Sequence, residues 1–489
     1  MPNRRPNVLL IITDQQRRDT IRCYGQEAAT TPHVDWLASR GARFDNAFCC
    51  APMCSPARAS ILSGLYPHSH GVIANHQARP GPDQMHLPKN IALVADYLKP
   101  AGYLCGYSGK WHLGTGSDRR GFSDFAARLG VYDVDSPEED EMQEHARRLG
   151  INIAFGDSRT VDSGADPDPA YYDQHANVGP ALLPLADFPA SLMCDKAVDF
   201  IRRASRADAP FMLVFSCTEP HPPCVAPRPF HNMYRPEDVT LPSTWQDRSF
   251  YAHLARRPHW QLKTTEELAL TGDDLRKIWA AYLGTASYVD HLVGRLASAL
   301  LETDAINDTL IVFTSDHGDM LGSHGLFAKG PTLYDEVVRV PLIVVPPGGL
   351  NPSAVCETLV SHADLAPTIL DFCGVPIPPS MQGLSIRPQT LGAPGPPDRA
   401  VACEYHSSNW TDPVSPLRMW RTAEWKYVES ALGDHELYRL AEDPDELHDL
   451  AADPAFAPVL ARLQEDLHRW CRATGDTWPI VPLLPHSGC

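Results

Sequence analysis

The sequence predicts an α/β fold: a mostly parallel sheet sandwiched by helices, with a smaller C-terminal α+β domain. Three observations predict it. Continuous apolar runs recur at Val8 to Ile12, Phe211 to Phe215, Thr309 to Thr314 and Val340 to Val345, as strands covered on both faces require. Helical patterns fill the stretches between them, so strand and helix alternate through the first ~370 residues. Polar side chains suited to chemistry, Asp14, Lys110, His221 and Asp316, sit at or just beyond the ends of different strands. In an open α/β sheet those C-terminal ends share one rim, and ligands bind there.

Each element has its own signal. Val8 to Ile12 reads as the first core strand. Thr31-Pro32 opens a helix that Gly41 closes. Phe44 to Phe48 is a short strand leading to Cys54-Ser55-Pro56-Ala57-Arg58. Ser55 suits an N-cap and Pro56 the first helical position. That places Cys54 at the positive end of a helix, with Arg58 on the same side. A helix over about 90–98 and a strand over about 103–107 lead into Ser108-Gly109-Lys110-Trp111-His112-Leu113-Gly114. Residues 150–190 and 224–265 lack a clear period and read as insertions that wall a pocket.

Between the insertions lie a helix over Cys194 to Ala204 and the strand that runs on to Pro220-His221-Pro222-Pro223. A long helix, Gly272 to Glu302, precedes the strand ending at Asp316-His317-Gly318-Asp319. Val340 to Val345 is stopped by Pro346-Pro347-Gly348-Gly349, and Asp364 to Cys373 is a helix. These elements make one large domain over 1–375. A Pro/Gly-rich linker over 376–397 joins it to a small domain over 398–489. There Trp425 to Val428 and Glu436 to Leu440 read as strands and 454–473 as a helix.

Composition narrows the partners. The net charge is −18, which argues against nucleic acid and long polyanionic sugars. A small anionic substrate in a locally basic pocket remains compatible with it. No apolar run approaches the ~20 residues of a membrane span. The run after Arg4 and Arg5 is too short for a signal segment. The 13 cysteines have no scaffold-like spacing, which suits a reducing compartment. A cytoplasmic protein is therefore expected. The apolar tail from Trp478 to Pro485 is a candidate contact for a neighbouring subunit in a homo-oligomer.

Asp14 and Asp316 with His317, once gathered at a rim, make two hard carboxylates and one imidazole. That set suits Ca²⁺, Mg²⁺ or Mn²⁺ better than a thiolate-loving ion. Taken singly, each Asp is as well read as a turn or capping residue.

Cys54-x-Pro56-x-Arg58, followed by Leu62-Ser63-Gly64, resembles the signature of the type I sulfatases of the alkaline phosphatase superfamily. The resemblance extends to Gly109-Lys110-Trp111-His112-Leu113-Gly114, to His221 in Pro-His-Pro-Pro, to Asp316-His317-Gly318, to Lys329 in Phe-Ala-Lys-Gly, and to the C-terminal Glu436-Leu437-Tyr438 and Asp443-Pro444. It implies an alkaline phosphatase-like fold. It also implies that a maturation enzyme oxidises Cys54 to formylglycine, whose hydrate is the nucleophile.

Further roles follow by the same resemblance. Asp14, Gln15, Cys54 (as formylglycine), Asp316 and His317 are the implied ligands of one divalent ion, usually Ca²⁺. Arg58, Lys110 and Lys329 are implied to hold the sulfate group. His112 positions the hydroxyls, His221 protonates the leaving oxygen, and Asn75 is the implied substrate-contacting amide. One hydroxyl of the hydrate attacks sulfur and expels the alcohol. The other then loses its proton, His112 being the candidate base, so that sulfate leaves and the aldehyde returns.

One position departs from the commonest family pattern. Many sulfatases carry paired aspartates after the first strand; here the pair is Asp14-Gln15. Gln15 brings a carbonyl but no charge, so the site is expected to hold one fewer negative charge. Three readings stay open at this point: a sulfatase of arylsulfatase type, a phosphonate or phosphate ester hydrolase of the same superfamily, and an inactive binding homologue.

Overall fold

The computed structural model describes residues 5–75, 86–114, 119–128, 178–181, 183–257, 262–406 and 415–478. Nine strands form the main sheet: β1 (Asn7–Asp14), β2 (Ala42–Phe48), β3 (Leu104–Lys110), β4 (Asp124–Arg128), β5 (Phe211–Pro220), β6 (Thr309–Ser315), β7 (Arg339–Val345), β8 (Ala354–Cys356) and β9 (Val360–Ser361). The order is β8-β2-β7-β6-β1-β5-β3-β4, with β9 also on β2.

β1 lies at the centre, parallel to both β5 and β6. Its apolar run is buried on both sides. Val8, Leu10 and Ile12 enter one core and Leu9 and Ile11 the other, the two-faced burial that a central strand imposes. Helices α1 (Pro32–Arg40), α3 (Pro189–Ala204) and α4 (Gly272–Glu302) cover the second face. Helices α2 (Cys54–Ser63) and α5 (Leu365–Phe372) cover the first.

β7 is antiparallel to both β6 and β2. Two reversals cancel, so β2 points the same way as β1 and β6. The chain therefore leaves β2 at the same rim as the ends of β1, β3, β5 and β6, and Cys54 follows there. The mostly parallel sheet expected from the apolar runs is what forms, and β7 is the antiparallel departure from it.

Several local expectations are corrected. Helix α2 begins at Cys54 with Met53 at its N-cap, so Ser55 is inside the helix and is not the cap. The helix expected over 90–98 is one short helix, Val94–Leu98, because the capping position falls at Leu93, whose N–H donates to Asp96 at 2.8 Å. The strand expected at 103–107 continues to Lys110, and the helix expected from Cys194 starts at Pro189. Most of the 150–190 insertion lies outside the described residues. The 224–265 insertion holds only short elements among those described.

The stretch read as a linker is anchored locally. Gln382 N–H donates to Gly64 O at 2.9 Å and Ile386 is fully buried. Beyond it, β10 (Val401–Tyr405), β11 (Leu417–Arg421), β12 (Trp425–Ser430) and β13 (His435–Arg439) form an antiparallel sheet in sequence order. Helix α6 (Ala457–Thr474) packs Leu463, Leu467 and Cys471 onto Tyr427 and Leu437. Trp478 folds back on this chain, donating to Glu429 at 3.2 Å; the rest of the apolar tail lies outside the described residues. Among the described residues no helix is long and apolar enough to cross a membrane.

Candidate active site

Cys54 sits in the first turn of α2, where unpaired backbone N–H groups favour negative charge. Asn75 supplies the cap that the helix lacks at its own N-cap, its Oδ1 accepting from Ser55 N at 3.1 Å. Ser55 Oγ instead donates to His112 O at 2.6 Å, tying α2 to the loop after β3. Asn75, expected to contact substrate, thus spends its carbonyl on the helix that carries Cys54.

Asp14 is the last residue of β1, and Asp316 and His317 follow β6 directly. The Cys54 Sγ lies 3.6 Å from Asp14 Oδ1 and 3.2 Å from His317 Nε2. One ligand atom from each of Asp14, Cys54, Asp316 and His317 falls within 4.8 Å of the others, and all four residues are buried. His317 Nδ1–H donates to Gly318 O at 2.8 Å, which turns Nε2 toward the cluster as the nitrogen a metal ion would take in exchange for its proton. Gly318 is required here, since a Cβ would lie 1.9 Å from Glu336 O.

Arg58 reaches from the next turn of α2. Its Nε donates to Asp316 Oδ2 at 2.9 Å and its Nη1 to Ser216 Oγ at 2.5 Å, with Nη2 3.6 Å from Asp14 Oδ2. Lys110, the last residue of β3, pairs with Asp14. It can come this close because Gly109, at φ +110°, packs against β5 where a Cβ would meet Ser216 O at 1.8 Å. Lys329 lies 3.3 Å from the Cys54 sulfur and donates to Gln15 Oε1. His221 Nδ1–H donates to Pro222 O at 2.6 Å, so proton transfer would fall to its Nε2.

Electrostatics follow from this crowding. Burial raises the Cys54 thiol and Asp14 raises it further, but Lys110, Lys329 and His317 outweigh both and hold it well below its ordinary value. Burial would raise Asp14 too, yet Lys110, His221, Arg58 and Lys329 pull it well down. Burial and then Asp14 push Asp316 up. Burial lowers Lys329, and the neighbouring Cys54, Asp14 and Asp316 more than reverse that. Burial, Lys329 and Lys110 push His221 well down, and burial and Lys110 push His112 down.

The donor chemistry fits a hard divalent cation: two carboxylates, one correctly turned imidazole and the Gln15 amide oxygen nearby. All of the residues singled out in the sequence fall on or around this rim, with His221 half-buried at its edge.

Four contributors were not singled out. Ser216 on β5 receives Arg58. Tyr282 on α4 bonds both Gln15 O and Arg17 N, holding Gln15 at φ 59°. Arg17 Nη1 donates to Met320 O at 2.9 Å and Ser323 Oγ at 2.9 Å. Asp319 accepts from the Gln15 amide. Only Asp319, within Asp316-His317-Gly318-Asp319, carried a signal in the sequence.

The description of the Sulfatase family matches residues 6–375, and that of the N-sulphoglucosamine sulphohydrolase C-terminal region matches 322–473. An uncharacterized sulfatase, YidJ, of Escherichia coli is 32% identical over 474 residues, spanning 95% of this chain and 86% of that protein. An arylsulfatase of Clostridium perfringens is 27% identical over 476 residues, spanning 91% and 90%. The crystal structure of a phosphonate monoester hydrolase of Agrobacterium radiobacter superposes with a TM-score of 0.79 at 27% identity, over 96% of each chain. The family match runs from the first strand to the end of the main sheet's last covering helix, and the chain belongs to the sulfatase family of the alkaline phosphatase superfamily.

Proposed function

We propose that the protein hydrolyses sulfate monoesters of small alcohols or phenols, in the manner of an arylsulfatase, with Cys54 matured to formylglycine. The observation that carries this reading is the meeting of Cys54 with Asp14, Asp316 and His317 inside one 4.8 Å cluster ringed by Arg58, Lys110 and Lys329. A sulfate monoester needs a strong oxygen nucleophile, cations around its non-bridging oxygens and an acid at the bridge. The hydrated aldehyde supplies one hydroxyl for attack and a second whose deprotonation releases sulfate. A divalent ion, Ca²⁺ first and Mn²⁺ or Mg²⁺ next, held by Asp14, Gln15, Asp316 and His317, would lower the pKa of that hydrate.

The chain's own residues do the rest. Lys110, Lys329 and Arg58 hold the sulfate oxygens. His112, kept neutral by burial and Lys110, accepts the second hydroxyl's proton. His221 is pushed down by burial and the lysines in the free protein. A bound anion against Lys329 and Lys110 would offset their share of that shift and favour the protonated form that a leaving alkoxide requires. Cys54 is 1% exposed, so the formylglycine-generating partner must act before the fold closes over it. A cytoplasmic setting is part of this proposal.

A second reading has its own support. The phosphonate monoester hydrolase superposes over nearly the whole chain, and Gln15 keeps position 15 neutral. Matched aryl sulfate and aryl phosphonate monoesters separate the two. A kcat/KM ratio above one for the sulfate supports the sulfatase reading, and a ratio well below one replaces it with the second.

A further inference from the structure

Gln15 is gripped from both ends. Its Nε2 donates to Asp319 Oδ2, and its Oε1 accepts from Lys329. Those partners decide which way the amide lies, because a carboxylate can only accept and an ammonium can only donate. Asp319 is fully buried and its other oxygen is also committed. Oδ1 accepts from Leu321 N at 2.7 Å and Ala328 N at 3.2 Å. One side chain therefore fixes both the orientation of Gln15 and the start of the segment that carries Lys329.

We infer that Asp319 is a positioning residue that turns the Gln15 amide oxygen toward the ion-binding cluster and lends that oxygen negative character. A carboxylate bonded to the N–H₂ end of an amide polarises it, so the oxygen at the far end is a stronger donor. The negative charge missing at position 15 is thus held one side chain further out. It acts through the amide and stays off the ion itself. This inference rests on the reading of Asp14, Asp316 and His317 as ion ligands.

The geometry makes a specific substitution informative. In Asp319→Asn, Oδ1 must still accept the two backbone N–H groups, so Nδ2 faces Gln15 Nε2. Two donors then oppose each other. Gln15 turns its amide over, and its N–H₂ points at Lys329 and the cluster. Exchanging the groups, Gln15→Glu with Asp319→Asn, restores a donor to an acceptor across the same pair. It keeps the heavy-atom count and the net charge, and it leaves an oxygen facing the cluster.

The test is calorimetric titration of the purified protein with Ca²⁺ and with Mn²⁺, alongside thermal unfolding. The expected result is wild-type binding of one ion, a 10- to 100-fold weaker Kd in Asp319→Asn, as is typical when a ligand's supporting carboxylate is lost (on the order of these factors). Recovery to within about threefold is expected in the exchanged variant. Unchanged binding in Asp319→Asn overturns the inference while leaving the ion site standing. So does an exchanged variant that fails to recover, or that fails to fold, because a merely structural carboxylate predicts no rescue by exchange. Absence of ion binding in the wild type overturns the ligand reading itself and the inference with it.

Discussion

At the strand ends, Asp14 and Asp316 face Arg58, Lys110 and Lys329; beneath the C-terminal sheet, Glu404 and Asp476 face Arg418, His68 and His406. Both clusters are buried, and both bring several possible metal donors together: His68, Glu404 and Asp476, like the Cys54 group, each offer a ligand atom within 4.8 Å of the others. Their bonding differs. Arg418 gives Nε and Nη2 to the two oxygens of Asp476 at 2.7 and 3.2 Å, and Nη1 to Leu417 O at 3.0 Å. Glu404 takes His68 Nδ1 at 2.6 Å on one oxygen and His406 Nε2 at 2.9 Å on the other. Every charge is matched, with Arg418 stacked 4.7 Å from the Trp478 ring.

At the rim, Arg58 Nη2 is buried without a hydrogen-bond partner, 3.6 Å from Asp14. Three cations and a low-pKa sulfur crowd two carboxylates. A closed network of buried charge specifies how parts of a chain dock, whereas an incompletely satisfied one is held in readiness for a ligand. The presence of acids and histidines in one place does not distinguish the two; the state of their bonds does.

That contrast can be broken from either side. The largest effect is expected from Cys54→Ala, which should lower kcat/KM for an aryl sulfate by at least about 10³-fold. Cooperative unfolding should persist, as seen by circular dichroism. Arg418→Ala should do the reverse. Stripping the cation leaves Asp476 buried without its ion-pair partner and removes a positive charge from beside Glu404, costing about 3–5 kcal/mol in urea unfolding. kcat/KM of the folded enzyme should stay near wild type. A large catalytic loss in Arg418→Ala would show that the two clusters are coupled.

His221→Gln sharpens the rim side. With poor alkyl leaving groups kcat should fall about 10²-fold, and much less with a nitrophenyl ester that needs no acid. Equal losses on both would remove His221 from the protonation step. The mildest test is acid. Burial pushes Glu404 up, but Arg418, His406 and His68 pull it below the ordinary carboxylate range. A depressed carboxyl stabilises the fold above its unfolded value and loses that contribution as pH falls through its folded one. The urea midpoint should therefore drop as pH falls below about 4, and Arg418→Ala should flatten that slope.

Much of this architecture was legible in the sequence where local chemistry decides it. Val8 to Ile12 announced a central strand because no solvated face interrupts it. Asp316-His317-Gly318 and Gly109-Lys110 were readable from their place at strand ends and their resemblance to the family's motifs; the close backbone approach that each glycine permits appears only in the fold. What escaped depends on distant partners. Ser55 looks like a cap, but Asn75 performs that task from another segment. The direction of β7 cannot be read from Arg339 to Val345 itself. β10 and β11 were not singled out: Glu404 and Arg418 break up their apolar pattern, and only the fold brings His68 and Asp476 to those charges. Gln15 looked like a lost charge, and only the fold shows Asp319 behind it.

The most direct test follows the oxidation state of residue 54. Protein is prepared with graded co-expression of a formylglycine-generating enzyme, the aldehyde fraction of the Cys54 peptide is measured by mass spectrometry, and sulfate release from an aryl sulfate is measured on the same samples. Turnover should rise in proportion to the aldehyde fraction and vanish in the all-thiol protein. Full activity with the thiol intact, or a fully converted protein that cleaves no sulfate ester, would contradict the account.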